Sequence, residues 1–326
     1  SVLLALPGPA RAAAPVPTGA AIPIEDFFAD AAMRSVQLSP DGRWLAFLTA
    51  LGTGHTGIAL MDLKTGKTEA LVAMHDANIE ESLWTGSDRI VFGGDLGGNE
   101  SLSLRAINLK TRNVIALAES FKEVVADRAD QASILDRLRF DPKHILIFGN
   151  KEVGSYDFGV FLLDVRTGDR SKMQCADVVG GRGLFADNSG VVRGLNRRVG
   201  STMIHELRLD GKSTFFKVGE TPVDIAAEEP SWRPLAFAAD NQTLFVLTRA
   251  GSQPPHLRAY DVPHRSFLPD LDYVIEGTYD TIVMSPDGAK LLGVYYTTER
   301  PQVHWFDAER ASLQARIEGV LPDTFN

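Results

Sequence analysis

Few residues of this chain stand in arrangements that could make or break a bond. Serine hydrolysis needs a nucleophile on a strained Gly-x-Ser-x-Gly turn, and the 326-residue sequence has none. Gly154-Ser155 and Gly200-Ser201 read as ordinary loop pairs, so no catalytic residue is assigned. Gly211-Lys212-Ser213 ends like a phosphate-binding loop, but Glu206 stands where that loop needs its first glycine. Asp95 to Ser101 offers alternating oxygen ligands in an order that departs from a calcium loop. The seven histidines (His55, His75, His144, His205, His256, His264 and His304) never take the spacing that puts two imidazoles on one helix face. A single cysteine, Cys175, allows no internal disulfide and no cysteine-based zinc site. No metal and no cofactor are expected. Two glutamate pairs remain, Glu80-Glu81 and Glu228-Glu229. Paired carboxylates can hold a cation that must lose its water. Glu228 and Glu229 lie in a loop and are the better placed of the two pairs, although two solvated loop residues is the plainer reading.

The elements that would position these residues follow a repeat. Six times an apolar residue enters a polar turn: Leu38, Trp84, Phe140, Ala186, Ala238 and Met284. Each is followed, 23 or 24 residues later, by a polar residue opening a second turn: Asp62, Asn108, Asp164, Asp210, Asp261 and Asp307. In the first unit, Ser39-Pro40-Asp41-Gly42 presets one turn and Lys64-Thr65-Gly66-Lys67 another. Short apolar runs between the turns make four strands per unit. A four-stranded antiparallel sheet recurring every ~40–50 residues predicts an all-β fold, a β-propeller. A row of sandwiches would need about 100 residues per unit.

Six units are present. The next first mark would fall just past Asn326, which leaves open a finished six-bladed ring or part of a seven- or eight-bladed one. Two stretches break the pattern. Glu25 to Met33 is predicted as a short N-terminal helix. Phe121 to Leu138, charged and rich in alanine, reads as a helical insertion or a long loop. Near the C-terminus, Leu313, Ile317 and Val320 fall at helical spacing.

Composition narrows the class. The chain is 44% hydrophobic and 23% charged, as in ordinary globular proteins. Its net charge of −9, with no basic run, argues against nucleic acid or an anionic membrane as partner. Val2 to Leu6 is apolar and Ala10 to Ala14 offers small residues for cleavage, like the tail of a secretory signal. Residues 1–23 are therefore read as a leader remnant with a linker, residues 24–326 as the propeller, and the compartment as periplasmic or secreted. No other stretch is apolar for long enough to span a membrane.

Ile24-Glu25-Asp26-Phe27-Phe28, followed by Ser35 to Phe47 with its Ser-Pro-Asp-Gly turn, resembles the propeller opening of prolyl oligopeptidase family serine peptidases. Within that family it looks most like the bacterial dipeptidyl aminopeptidase/acylaminoacyl peptidase branch. Arg300 to Asp307, with Leu313-Gln314, is similar to late propeller sequence of exported members. The resemblance implies a parent peptidase in which an α/β-hydrolase domain of the same chain carries the Ser, Asp and His. This stretch would then be the non-catalytic part that limits entry of peptide substrates. It also implies a role for a glutamate pair, such as Glu228-Glu229, in holding a substrate's N-terminal ammonium. The alternative is a stand-alone periplasmic propeller that binds a protein partner, similar in style to envelope translocation propellers with the same turns.

Overall fold

A computed structural model describes residues 32–52, 55–75, 77–95, 102–118, 132–150, 158–173, 181–223 and 231–321. Six antiparallel meanders follow one another, each pairing its strands in chain order. Five have four strands and span residues 34–72, 81–118, 132–172, 182–222 and 232–274; the sixth, residues 278–305, has three. These are the blades of a propeller. The first strand of blade one lies beside that of blade two, and likewise for blades three and four, so first strands are innermost.

The apolar runs have a simple cause. A middle strand is covered on both faces, so its residues are apolar without alternation. In blade three, Ile145 and Ile147 pack with Phe161 and Leu163 against blade two. The intervening Leu146 packs with Val160 against blade four. Comparable clusters fill the interfaces between blades one and two, four and five, and five and six. Among the described residues, no such cluster, hydrogen bond or ion pair joins blade six to blade one. Phe47 and Ala59, on the side of blade one that faces away from blade two, are nonetheless buried.

The repeated polar residues do the same job in the first five blades. Asp62 Oδ1 accepts the amides of Lys64 (2.9 Å) and Thr65 (3.1 Å). Asn108 does so for Lys110 and Thr111, and Asp210 for Lys212 and Ser213. Asp164 and Asp261 each take one amide. A short side-chain acceptor that closes its own turn is why Asp and Asn hold these corners. Asp307 Oδ1 takes the amide of Arg310 at 3.0 Å, but there it caps a helix, Ala308–Val320. That helix, rich in Ala, Glu, Gln and Arg, replaces the fourth strand of blade six.

Two expectations meet the structure differently. Residues 25–31 of the expected N-terminal helix lie outside the described residues; Ala32 and Met33 form a bend leading into the first strand. Within Phe121–Leu138, residues 121–131 also lie outside. Ala132–Asp136 is neither helix nor loop but the first strand of blade three, with Ile134 opposite Ile147. Pairing with an apolar middle strand outweighs the weak helical tendency of five residues.

Candidate functional site

The turns after the first strands meet at one end of the axis. Two are built alike. Ser39 Oγ donates to Asp41 Oδ1 (2.6 Å) and accepts the Trp44 amide (2.9 Å). Ser285 Oγ donates to Asp287 Oδ1 (2.5 Å) and accepts the Lys290 amide (2.9 Å). The serine hydroxyl first, and a backbone amide second, hold both aspartates below the usual carboxylate range. Gly42 and Gly288 close these turns at φ +71° and +69°, where a side chain would be strained.

Blade three reaches across this end. Arg139 Nη2 donates to the carbonyl of Ser285 (2.7 Å) and to that of Pro286 (3.2 Å), both in blade six. Phe140 follows it: a Cβ on Gly288 would stand 2.8 Å from the Phe140 ring. Pro142 sits against Gly86 of blade two. Beneath these crossings lies a cavity of about 580 Å³. Its walls include Leu38, Trp84 and Phe140, the first marks of units one to three, together with Arg137 and Arg139. Burial first, and the like charge of Arg137 second, pull Arg139 below its ordinary value against the opposing charge of Asp287.

The arrangement that comes nearest to a nucleophile and base is elsewhere, in blade four. His205 Nδ1 meets Asn196 Oδ1 at 2.8 Å, and Nε2 meets Thr221 Oγ1 at 2.7 Å. Thr221 Oγ1 also accepts the Ser231 amide at 2.8 Å. The asparagine carbonyl requires the Nδ1–H tautomer, so Nε2 is the accepting nitrogen, and it shares the Thr221 hydroxyl with Ser231 Oγ, 3.1 Å from Thr221 Oγ1. Burial lowers the His205 pKa and keeps the ring neutral. His205 and Thr221 are both buried, so the chain of bonds ties strands together and leaves no place for a reacting carbonyl.

The remaining sequence candidates fall as follows. Glu228 and Glu229 lie outside the described residues, as do Cys175, Ser155 and most of the Asp95–Ser101 loop. The Glu81 carboxylate rests over Gly93, where a Cβ would come 2.9 Å from Oε1. Desolvation first and the charge of Glu80 second push Glu81 upward. The Lys212 and Ser213 amides turn inward onto Asp210 rather than toward a phosphate site. Gly200-Ser201 is a hairpin turn with Gly200 at φ +61°. Among the described residues no group of three His, Cys, Asp or Glu is placed to hold a metal ion, and no helix is long and apolar enough to cross a membrane. Arg139 escaped sequence reasoning because its partners lie 146 and 147 residues away.

No protein-family model matches the chain, and no curated protein matches it. Solved structures do. TolB from Acinetobacter baumannii is 16% identical with a TM-score of 0.42, covering 75% of this chain and 56% of that one. A structure from a study of two prolyl endopeptidases is 14% identical with a TM-score of 0.47, covering 86% and 40%. An oligogalacturonate lyase in complex with manganese is 11% identical with a TM-score of 0.49, covering 84% and 77%. The chain thus spans little more than half of the TolB and less than half of the endopeptidase. The likeness is one of fold.

Proposed function

We propose that this chain is the non-catalytic propeller of an exported serine peptidase, and that its axial mouth limits which substrates reach a hydrolase domain. The observation that carries this reading is the bridge across the mouth. Arg139 and Phe140 reach from blade three to blade six and leave only a small cavity below. A mouth so spanned excludes folded chains and passes at most an extended segment. The resemblance of Ile24–Phe47 and Arg300–Gln314 to peptidase propellers supplies the identity of the parent. Serine, histidine and aspartate of that domain would perform the acyl transfer; the residues of this chain would admit and orient the peptide. Glu228 and Glu229 are proposed, on the resemblance alone, to hold its ammonium end.

The test uses the complete product of the reading frame. Peptides of graded length are hydrolysed by the parent protein and by its Arg139→Gly variant. The variant is expected to accept longer peptides, while kcat for the shortest stays unchanged. A reading frame that stops at Asn326, or a parent that cleaves folded proteins as readily as short peptides, overturns the proposal. A second reading, a stand-alone propeller that binds a protein, draws on the uncovered apolar stripe of the C-terminal helix, where Leu313, Ile317 and Val320 are exposed.

A further inference from the structure

We propose that the axial cavity binds a carboxylate carried on an apolar group. Arg137 and Arg139 would hold the carboxylate; Leu38, Trp84 and Phe140 would hold the apolar part.

The cavity wall combines the two kinds of group that such a ligand needs. Three large apolar side chains line it, and two of them, Leu38 and Phe140, are about half exposed. Soluble proteins rarely leave such groups uncovered together without a use. Beside them stand two guanidiniums, close enough that Arg137 disfavours the charge of Arg139. Arg139 spends one nitrogen on two carbonyls. Among the described residues Arg137 has neither a hydrogen bond nor a salt bridge.

The nearby carboxylates are already engaged. Asp141 lines the cavity, but Oδ1 takes the amides of Lys143 and His144 while Oδ2 faces His144 Nδ1 at 2.8 Å. Asp136 takes the Leu138 amide at 2.7 Å and feels the charge of Arg137 without forming a salt bridge to it, and Asp287 takes Ser285 and Ala289. Arg137 is therefore the cation at this mouth that is left to take a carboxylate from outside. A guanidinium fork fits a carboxylate with two parallel bonds. The volume of about 580 Å³ falls within the range of about 300–1,000 Å³ usual for small-molecule sites. The apolar part of the lining favours a ligand that carries its carboxylate on an apolar group.

The intact chain is titrated with N-acetylphenylalanine and with its amide, by calorimetry and by tryptophan fluorescence. The acid is expected to bind at least about tenfold more tightly than the amide, a difference of about 1.4 kcal/mol. Arg137→Gln should bring the acid down to the level of the amide while the circular dichroism spectrum stays the same. N-acetyl-Ala-Ala-Phe and octanoate then separate the two sources of the same chemistry. Tighter tripeptide binding identifies a peptide C-terminus, and tighter octanoate binding a free organic acid. Equal binding of acid and amide, or no binding of the acid at millimolar concentration, overturns the proposal. Should Arg137→Gln fail to fold, the comparison of acid with amide on the unaltered chain decides alone.

Discussion

Removing Asp187 should destabilise the propeller more than any other single aspartate change in its turns. Its side chain and that of Arg193 are 6% and 5% exposed, with Nη1 and Oδ2 2.8 Å apart. Arg193 also donates through Nε to the Arg208 carbonyl (3.0 Å) and through Nη1 to the Asn241 carbonyl (3.2 Å) in blade five. Its guanidinium lies 4.9 Å from the centre of the Phe237 ring. Asp187 Oδ1 meanwhile takes the amides of Ser189 and Val191. Asp187→Ala leaves a buried cation without its salt-bridge partner, at a cost of about 3–5 kcal/mol. Arg193→Met leaves two carbonyls without a donor, about 1–3 kcal/mol, while Asp187 keeps its two amides. The double variant removes the charge and its partner together and should lie well above the sum of the singles. Urea unfolding of all four proteins gives the coupling, expected at 1.5 kcal/mol or more on the order of a buried charge pair. Single losses below about 1 kcal/mol, or additivity within about 0.5 kcal/mol, would show that this pair is not what joins blades four and five.

Four further outcomes follow from the same geometry. Gly288→Ala meets both a positive φ and the Phe140 ring at 2.8 Å, whereas Gly42→Ala meets the φ strain with open space around it. The first should cost about 1–3 kcal/mol more than the second in thermal unfolding; equal costs would mean that Phe140 does not press on blade six. Asp41, Asp210, Asp261 and Asp287 are all held below their ordinary value, Asp210 at about 2 through the Ser213 hydroxyl and the amides of Lys212 and Ser213. Their contribution is complete above the unfolded value of 3.8 and is lost as pH falls toward the folded values, so Tm should drop between pH 4 and about 2. Glu81 and Asp136 are raised and oppose that trend; Asp210→Asn should flatten the slope, and an unchanged slope refutes the assignment. Leu313, Ile317 and Val320 leave an apolar stripe on a helix with no buried residue, so light scattering should find self-association that Ile317→Lys abolishes; a monomer at all concentrations counts against it.

Much of the fold was legible because its signals are local. An aspartate that closes its own turn needs only the next two or three residues, so the corners at Asp62, Asn108, Asp164, Asp210 and Asp261 could be read directly. The helix after Asp307 was legible for the same reason. The first strand of blade three was not. Phe140, the first mark there, sits four residues beyond the strand end at Asp136, in a longer turn, and the preceding composition mimics a helix. The axial mouth was half legible: three of its wall residues are first marks of the repeat, but nothing local distinguishes a turn residue that faces a cavity from one that faces water. The crossing by Arg139 depends on ring geometry and leaves no trace in spacing. Glu228-Glu229 rests on resemblance alone.

The crossing by Arg139 has a mechanical consequence. Blade three stands opposite blade six in the order of blades, so its bonds to the Ser285 and Pro286 carbonyls act as a strut set across the diameter. A strut of this kind couples two sheets that share no strand, so a ligand that drew Arg139 away from Ser285 would release opposite sides of the ring at once.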